Sequence, residues 1–157
     1  MLAPECEERG ITVQNTITED IPSVEADSDR ITQVLLNLLD NARRHTNPGG
    51  TITVGAELRE DHVQVSVSDT GVGIDPKDLP HIFERFYRAD RSRAAITGGS
   101  GLGLSIVKAI ISAHSGKVWA ESTPGHGTQI VFTLPLANQP QPAIPQKKVI
   151  PASNYKG

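Results

Sequence analysis

Cysteine is nearly missing from this chain of 157 residues, where Cys6 stands alone. A single thiol excludes an internal disulfide and any zinc site built on cysteine. Of the five histidines, His45, His62, His81, His114 and His126, none shows metal-ligand spacing. Long apolar runs are absent: no stretch reaches the length of a bilayer span, and Met1 is followed by Pro4 and acids, unlike a signal peptide. Basic excess is absent too. A net charge of −3 gives no broad positive field, which argues against nucleic acid or an anionic membrane surface as partner. No internal repeat is visible. The chain reads as soluble, suited to a reducing compartment, and long enough for one domain with a core.

What is present falls into alternating patterns. Asp27 is a plausible N-cap, and Ile31, Val34, Leu35, Leu38, Leu39 and Ala42 recur at helical spacing until Asn47-Pro48-Gly49-Gly50 stops the run near Thr46. Ile52, Val54, Ala56 and Leu58, then Val63, Val65 and Val67, alternate with polar residues as two half-buried strands around Arg59-Glu60-Asp61. A second helix is predicted from near Gly101 to Gly116, with Leu102, Ile106, Ala109, Ile110 and Ala113 as its apolar residues. Val118 and Ala120, then Ile130, Phe132 and Leu134, predict two more strands, and Ile11 with Val13 a short one at the start. The pattern predicts an α/β fold: a two-layer sandwich, its sheet mostly antiparallel and covered by helices on one face. The proline-rich run from Asn138 to Pro145 predicts that the folded unit is 1–136 and that 137–157 is a disordered tail.

Four segments carry chemistry. Asn37, Asn41 and Arg44 lie at i, i+4 and i+7 and share one face of the first helix, at the edge of its apolar stripe. An amide oxygen there suits Mg²⁺, which takes hard oxygen ligands and keeps several waters, and Arg44 suits a phosphate. A solvated helix face is the plain alternative. Asp69-Thr70-Gly71-Val72-Gly73-Ile74 follows a strand, where a carboxylate can accept from an adenine amino group and glycines let the base approach. An ordinary turn has the same composition. Gly98-Gly99-Ser100-Gly101-Leu102-Gly103 runs into a helix, whose first amides attract anions. No lysine follows as in a GxxxxGK[ST] loop, and no strand directly precedes it as a dinucleotide fold requires. Between these, Phe83 and Phe86 could anchor a lid while Arg88, Arg91 and Arg93 reach phosphates, or serve as core and surface. His45 could stack on a base, and the other histidines read as surface residues.

Taken in order, these segments resemble the catalytic, ATP-binding domain of bacterial sensor histidine kinases, in the ATPase superfamily that includes DNA gyrase and Hsp90. Asn37-Leu38-Leu39-Asp40-Asn41-Ala42-Arg43-Arg44-His45-Thr46 resembles the N box, and the segment from Asp69 to Ile74 the first glycine box. Phe83-Glu84-Arg85-Phe86-Tyr87 resembles the F box, and Gly99-Ser100-Gly101-Leu102-Gly103-Leu104 the second glycine box. The resemblance implies a Bergerat-type sandwich with ATP between helix, sheet and a mobile lid. It implies that Asn41 holds Mg²⁺, that Arg44 contacts phosphate, and that Asp69, supported by Thr128, binds the adenine amino group. It adds Asn37, His45, Gly71, Gly73, Ile74, Tyr87 and Arg88 to the ATP site, with Gly99, Ser100, Gly101, Leu102, Gly103 and Leu104. His45 stands where the family often has tyrosine and offers a smaller stacking face.

Two departures shape the functional expectation. Asn37 replaces the glutamate that activates water in gyrase-like relatives, and an amide cannot act as a general base, so efficient ATP hydrolysis by this chain alone is not expected. No histidine here sits in the His-Glu-x-x-Arg-Pro-like context of a phospho-acceptor. The resemblance therefore implies an ATP-dependent protein-histidine kinase domain that needs ATP and Mg²⁺ and acts on a dimerisation helix outside this chain. A response regulator would lie downstream, and no nucleic acid partner is implied. The chain by itself is expected to be monomeric and cytoplasmic, with a parent protein compatible with an inner-membrane anchor. The rivals are a serine kinase of the anti-sigma-factor type and a nucleotide-binding module without transferase activity.

Overall fold

The computed structural model describes residues 8–85, 103–137 and, for the backbone, 149–150. Helix α1 (Ser28–His45) starts where the sequence places its cap. Asp27 is extended, and its Oδ1 accepts from the N–H of Asp29 at 3.0 Å and of Arg30 at 3.4 Å. Two of the four amides that a helix start leaves open are thereby satisfied, a contribution of about 1 kcal/mol. At the far end Arg9 donates to the carbonyls of Arg43 (2.6 Å) and Thr46 (2.9 Å), complementing the negative pole of the helix. Thr46 leaves the helix with extended backbone, and Asn47 is held out of the helical region by Pro48.

The sheet is built from β1 (Thr12–Asn15), β3 (Thr51–Leu58), β4 (His62–Asp69), β5 (Val118–Ser122) and β6 (Thr128–Pro135), in the order β1-β3-β4-β6-β5. Only β1 and β3 run parallel; the other neighbours are antiparallel, as the alternating patterns predict. On one face Ile52, Val54, Val63, Val65, Val67, Ile130, Phe132 and Leu134 are buried. They form one core with Ile31, Val34, Leu35, Leu38 and Ala42 of α1 and with Val107 and Ile111 of α2 (Gly103–Ala113). Each of the Val, Leu, Ile and Phe side chains contributes about 1.5–3 kcal/mol on burial. A short β2 (Val24–Glu25) bridges to Leu136 and pairs antiparallel with β7 (Val149–Ile150), so a dipeptide within the stretch read as a tail has a strand partner.

Three details differ from the sequence expectation. The first strand exists, but all four of its residues are exposed, Val13 by 44%, and it is Ile11 just before it that enters the core. Helix α2 turns a different face inward. Val107 and Ile111 are fully buried, while Ala109 and Ala113 are exposed. Seven of the ten residues from Leu104 to Ala113 are apolar, so spacing alone could not select the stripe; packing against α1 and the sheet selects it.

The third difference is His114, expected at the surface and found 4% exposed. Its Nδ1 bonds the Ile110 carbonyl (2.8 Å), and its Nε2 accepts the N–H of Asp27 (3.0 Å). A proton on Nδ1 is the tautomer that fits both contacts. The ring thus ties the end of α2 to the cap of α1. His114→Phe keeps most of the ring volume but leaves the Asp27 amide buried without an acceptor, and is expected to lower unfolding free energy by about 1–3 kcal/mol in urea titrations.

Candidate functional site

Strand β4 ends on Asp69, which lies in register between Ile52 of β3 and Thr128 of β6 and is 8% exposed. The alternation of β4 requires this: Val63, Val65 and Val67 point inward, so the next inward position is 69. A carboxylate is therefore delivered to the edge of the core by the same period that builds the core. Burial raises its pKa above the ordinary value of 3.8, and the main-chain amides of Gly71 and Thr128 pull it partly back. Gly71 N–H reaches Oδ1 at 2.8 Å. Among the described residues no cation contributes to this shift, and the remaining acceptor capacity suits a neutral N–H donor such as a nucleobase amino group.

Behind Asp69 the chain passes close to α1. The amide of Val72 donates to the carbonyl of His45 at 3.2 Å, closing one of the open acceptors at the helix end. A Cβ on Gly71 would sit 1.9 Å from that same oxygen. At Gly73, φ is +75° and a Cβ would lie 2.3 Å from the carbonyl oxygen of Thr123. At both glycines the close approach within the fold is protein against protein.

Ser122 is a residue that sequence reasoning missed. Its hydroxyl donates to the Gly127 carbonyl (2.9 Å), accepts Ile74 N–H (2.8 Å) and meets the Thr128 hydroxyl at 2.9 Å. With its one proton used on Gly127, Ser122 accepts from Thr128. Thr128 therefore supports Asp69 through its main-chain amide, while its hydroxyl proton goes to Ser122. No local signal marks Ser122, which reads as one more small polar residue near a Pro-Gly turn.

On α1 the predicted polar stripe is present. Asn37 and Asn41 are half-buried, and Asn37 Nδ2 donates to the Gly103 carbonyl at 3.3 Å, joining the stripe to the start of α2. Arg44 pairs with Asp40 at 2.9 Å, and Asp40 also pairs with Arg43 at 2.7 Å. His45 is half-buried at the helix end, where its main chain meets the loop after Asp69. Leu104 packs against the core, as does Phe83, the core alternative of the two open readings. Tyr87, Arg88, Gly99, Ser100, Gly101 and Leu102 lie outside the described residues. The structure thus brings the Asp69 loop, Thr128 and the end of α1 together, with Gly103 fastened to Asn37. Among the described residues no cluster of three or more His, Cys, Asp or Glu could hold a metal.

The arrangement has relatives. The family model of histidine kinase-, DNA gyrase B- and HSP90-like ATPases matches residues 26–138. Sensor histidine kinase WalK of Bacillus subtilis (strain 168) is 45% identical over 118 residues, which cover 74% of this chain and 19% of WalK. The adaptive-response sensory kinase SasA of Trichormus variabilis is 46% identical over 125 residues, covering 79% of this chain and 31% of SasA. The chain therefore spans about a fifth to a third of the length of these relatives. The nucleotide-free catalytic domain of histidine kinase ThkA superposes with a TM-score of 0.72 at 33% identity, covering 85% of this chain and 84% of that one. ThkA has also been solved in complex with the response regulator protein TrrA; that kinase superposes with a TM-score of 0.69 at 31% identity, over 85% of this chain and 36% of that one.

Proposed function

The chain belongs to the histidine kinase-, DNA gyrase B- and HSP90-like ATPase family as the ATP-binding catalytic domain of a sensor histidine kinase, and from that premise we propose that it presents Mg²⁺-bound ATP for phosphoryl transfer to a histidine on a separate dimerisation helix. The observation that carries the nucleotide site is Asp69: a buried carboxylate, held by two amides, with acceptor capacity to spare at the end of a core strand. In this reading Asp69 accepts from the adenine amino group, and Ser122 and Thr128 fix the strand ends around it. Gly71, Gly73 and Ile74 wall the base, and His45 lies beside it. Asn41 supplies an amide oxygen to Mg²⁺, and Arg44 takes a phosphate. Asn37 anchors Gly103, so that the second glycine box (Gly99, Ser100, Gly101, Leu102, Gly103 and Leu104) can turn its amides toward the phosphates. Tyr87 and Arg88 complete the proposed ATP contacts. When bound, Mg²⁺-ATP supplies the transferable γ-phosphoryl group and part of its own charge neutralisation.

The contribution of this chain to the reaction is orientation and charge, since none of its described groups is placed as a nucleophile. Asn37 cannot take a proton from water, which supports transfer over hydrolysis. Matched relatives that are sensor kinases support a histidine acceptor over a serine. A response regulator downstream is proposed on the same ground, and ThkA has such a complex. We place the domain within 1–136, and in the cytoplasm where ATP is. Among the described residues no helix is long and apolar enough to cross a membrane.

Calorimetric titration with a non-hydrolysable ATP analogue tests the site. Wild type is expected to bind more tightly with Mg²⁺ than without, and Asn41→Ala to lose most of that gain, about 10-fold, with Mg²⁺-free binding kept. Absence of any Mg²⁺ dependence in wild type would remove Asn41 from its role. Incubation with ATP and a dimerisation-helix protein should then give an acid-labile phosphoprotein; an acid-stable product would overturn the histidine assignment.

A further inference from the structure

Asp40 stands on the same stripe as the nucleotide-facing side chains of α1, since Asn37, Asp40, Asn41 and Arg44 follow at i, i+3, i+4 and i+7. Its two carboxylate oxygens are divided between two cations: Oδ1 takes Arg43 Nη2 at 2.7 Å, and Oδ2 takes Arg44 Nη2 at 2.9 Å. As in Arg43, the Nε of Arg44 is buried and has no hydrogen-bond partner in this arrangement. That guanidinium is therefore incompletely satisfied where it lies, and can improve its bonding by moving to a second acceptor.

We propose that Asp40 is a positioning residue, a counter-ion shared by two arginines that holds Arg44 in reserve and releases it to a nucleotide phosphate. The inference rests on Arg44 as the phosphate contact. The Asp40–Arg44 pair has side chains about a third exposed, 33% and 30%, so water screens it and it is weak. A phosphate offers guanidinium a more highly charged, bidentate acceptor and wins the exchange. Sharing makes the exchange inexpensive. When Arg44 turns away, Arg43 remains on Asp40, so no carboxylate is left without a partner beside an incoming polyanion. Asp40 and Arg43 thus act on ATP binding with opposite signs, and the dependence of the Asp40 effect on Arg44 identifies the device.

Titrations of ATP and of adenosine against wild type, Asp40→Asn, Asp40→Glu, Arg43→Ala and Arg44→Ala test it. Asp40→Asn spares Arg44 the exchange and is expected to tighten ATP about 3-fold, within the range of an exposed ion pair, without changing adenosine. Arg43→Ala leaves Asp40 dependent on Arg44 and is expected to weaken ATP about 3-fold, again with adenosine unchanged. Asp40→Glu should behave as wild type. Both shifts should shrink in 1 M salt, which a purely structural role would not produce. In an Arg44→Ala background, Asp40→Asn should no longer tighten ATP. Equal shifts for ATP and adenosine, or the same sign for Asp40→Asn and Arg43→Ala, would overturn the shared counter-ion while leaving the nucleotide site intact. Unchanged ATP affinity in Arg44→Ala alone would instead remove Arg44 from the phosphate, and the inference with it.

Discussion

Asp69→Asn is expected to weaken ATP binding by about 100-fold or more, because a charged acceptor for a buried donor is replaced by a group that can present its own N–H₂ to that donor. Isothermal titration measures this directly, and a loss below about 5-fold would mean that the base binds elsewhere. The same variant carries a second expectation, of stability. Burial raises the Asp69 pKa in the folded state, so the native protein holds this proton more tightly than the unfolded chain does. The sign follows from linkage. The stabilising effect of that proton is complete below the unfolded value of 3.8 and is lost as pH rises through the raised folded value. Above its raised folded pKa, wild type keeps an ionised carboxylate that burial disfavours, and the asparagine variant does not. Relative to wild type, Asp69→Asn should be at its most stable near pH 7, with the difference shifting in favour of wild type as pH falls toward 3.8. Urea midpoints for both proteins at pH 7, 5 and 4 would check it, and a difference that is flat with pH would refute the burial argument. Function at this position is bought with stability, as is common where a charge waits for a ligand.

Gly71→Ala is expected to produce the other large effect, a loss of about 3 kcal/mol in unfolding free energy, at the upper end of ordinary overpacking. A Cβ there would meet the His45 carbonyl oxygen at 1.9 Å and its carbon at 2.6 Å, and both are backbone atoms of a helix fixed by its core face. No rotamer change relieves such a contact. The loop must move instead, breaking the Val72 N–H bond to His45 and displacing the Gly71 amide from Asp69. ATP affinity should fall along with the thermal midpoint, whereas in Asp69→Asn affinity falls without a comparable loss of stability. If Gly71→Ala lost affinity while melting like wild type, the glycine would be serving the ligand and not the helix contact.

Much of the architecture was legible in residues 27 to 69, because α1, β3 and β4 each repeat a period that one face satisfies, whereas Val131 beside Ile130 and Phe132 buries both faces of β6. Asp27 before Ile31, Val34, Leu35 and Leu38 leaves little choice about where α1 starts or which side it buries. Val63, Val65 and Val67 similarly force Asp69 inward. The family was legible as an ordered set of motifs, and the family model matches residues 26–138. Helix α2 was not, since apolar residues surround it and the choice of face belongs to its neighbours.

The sequence by itself determined the periods, the caps and stops, the order of the motifs, the absence of a disulfide, and a histidine set with no phospho-acceptor context. All of these are local, read from residues a few positions apart. Only the tertiary structure decided that His114 holds the amide of Asp27 across 87 positions, and that Ser122 joins Ile74 to Thr128. It also decided that the glycine at 71 makes room for a helix carbonyl and that Thr128 serves Asp69 through its main chain. Those facts depend on how separate elements are set against one another in space. A hydrogen bond or a steric contact between them is fixed by tenths of an ångström in that packing, and no spacing along the chain encodes such a distance.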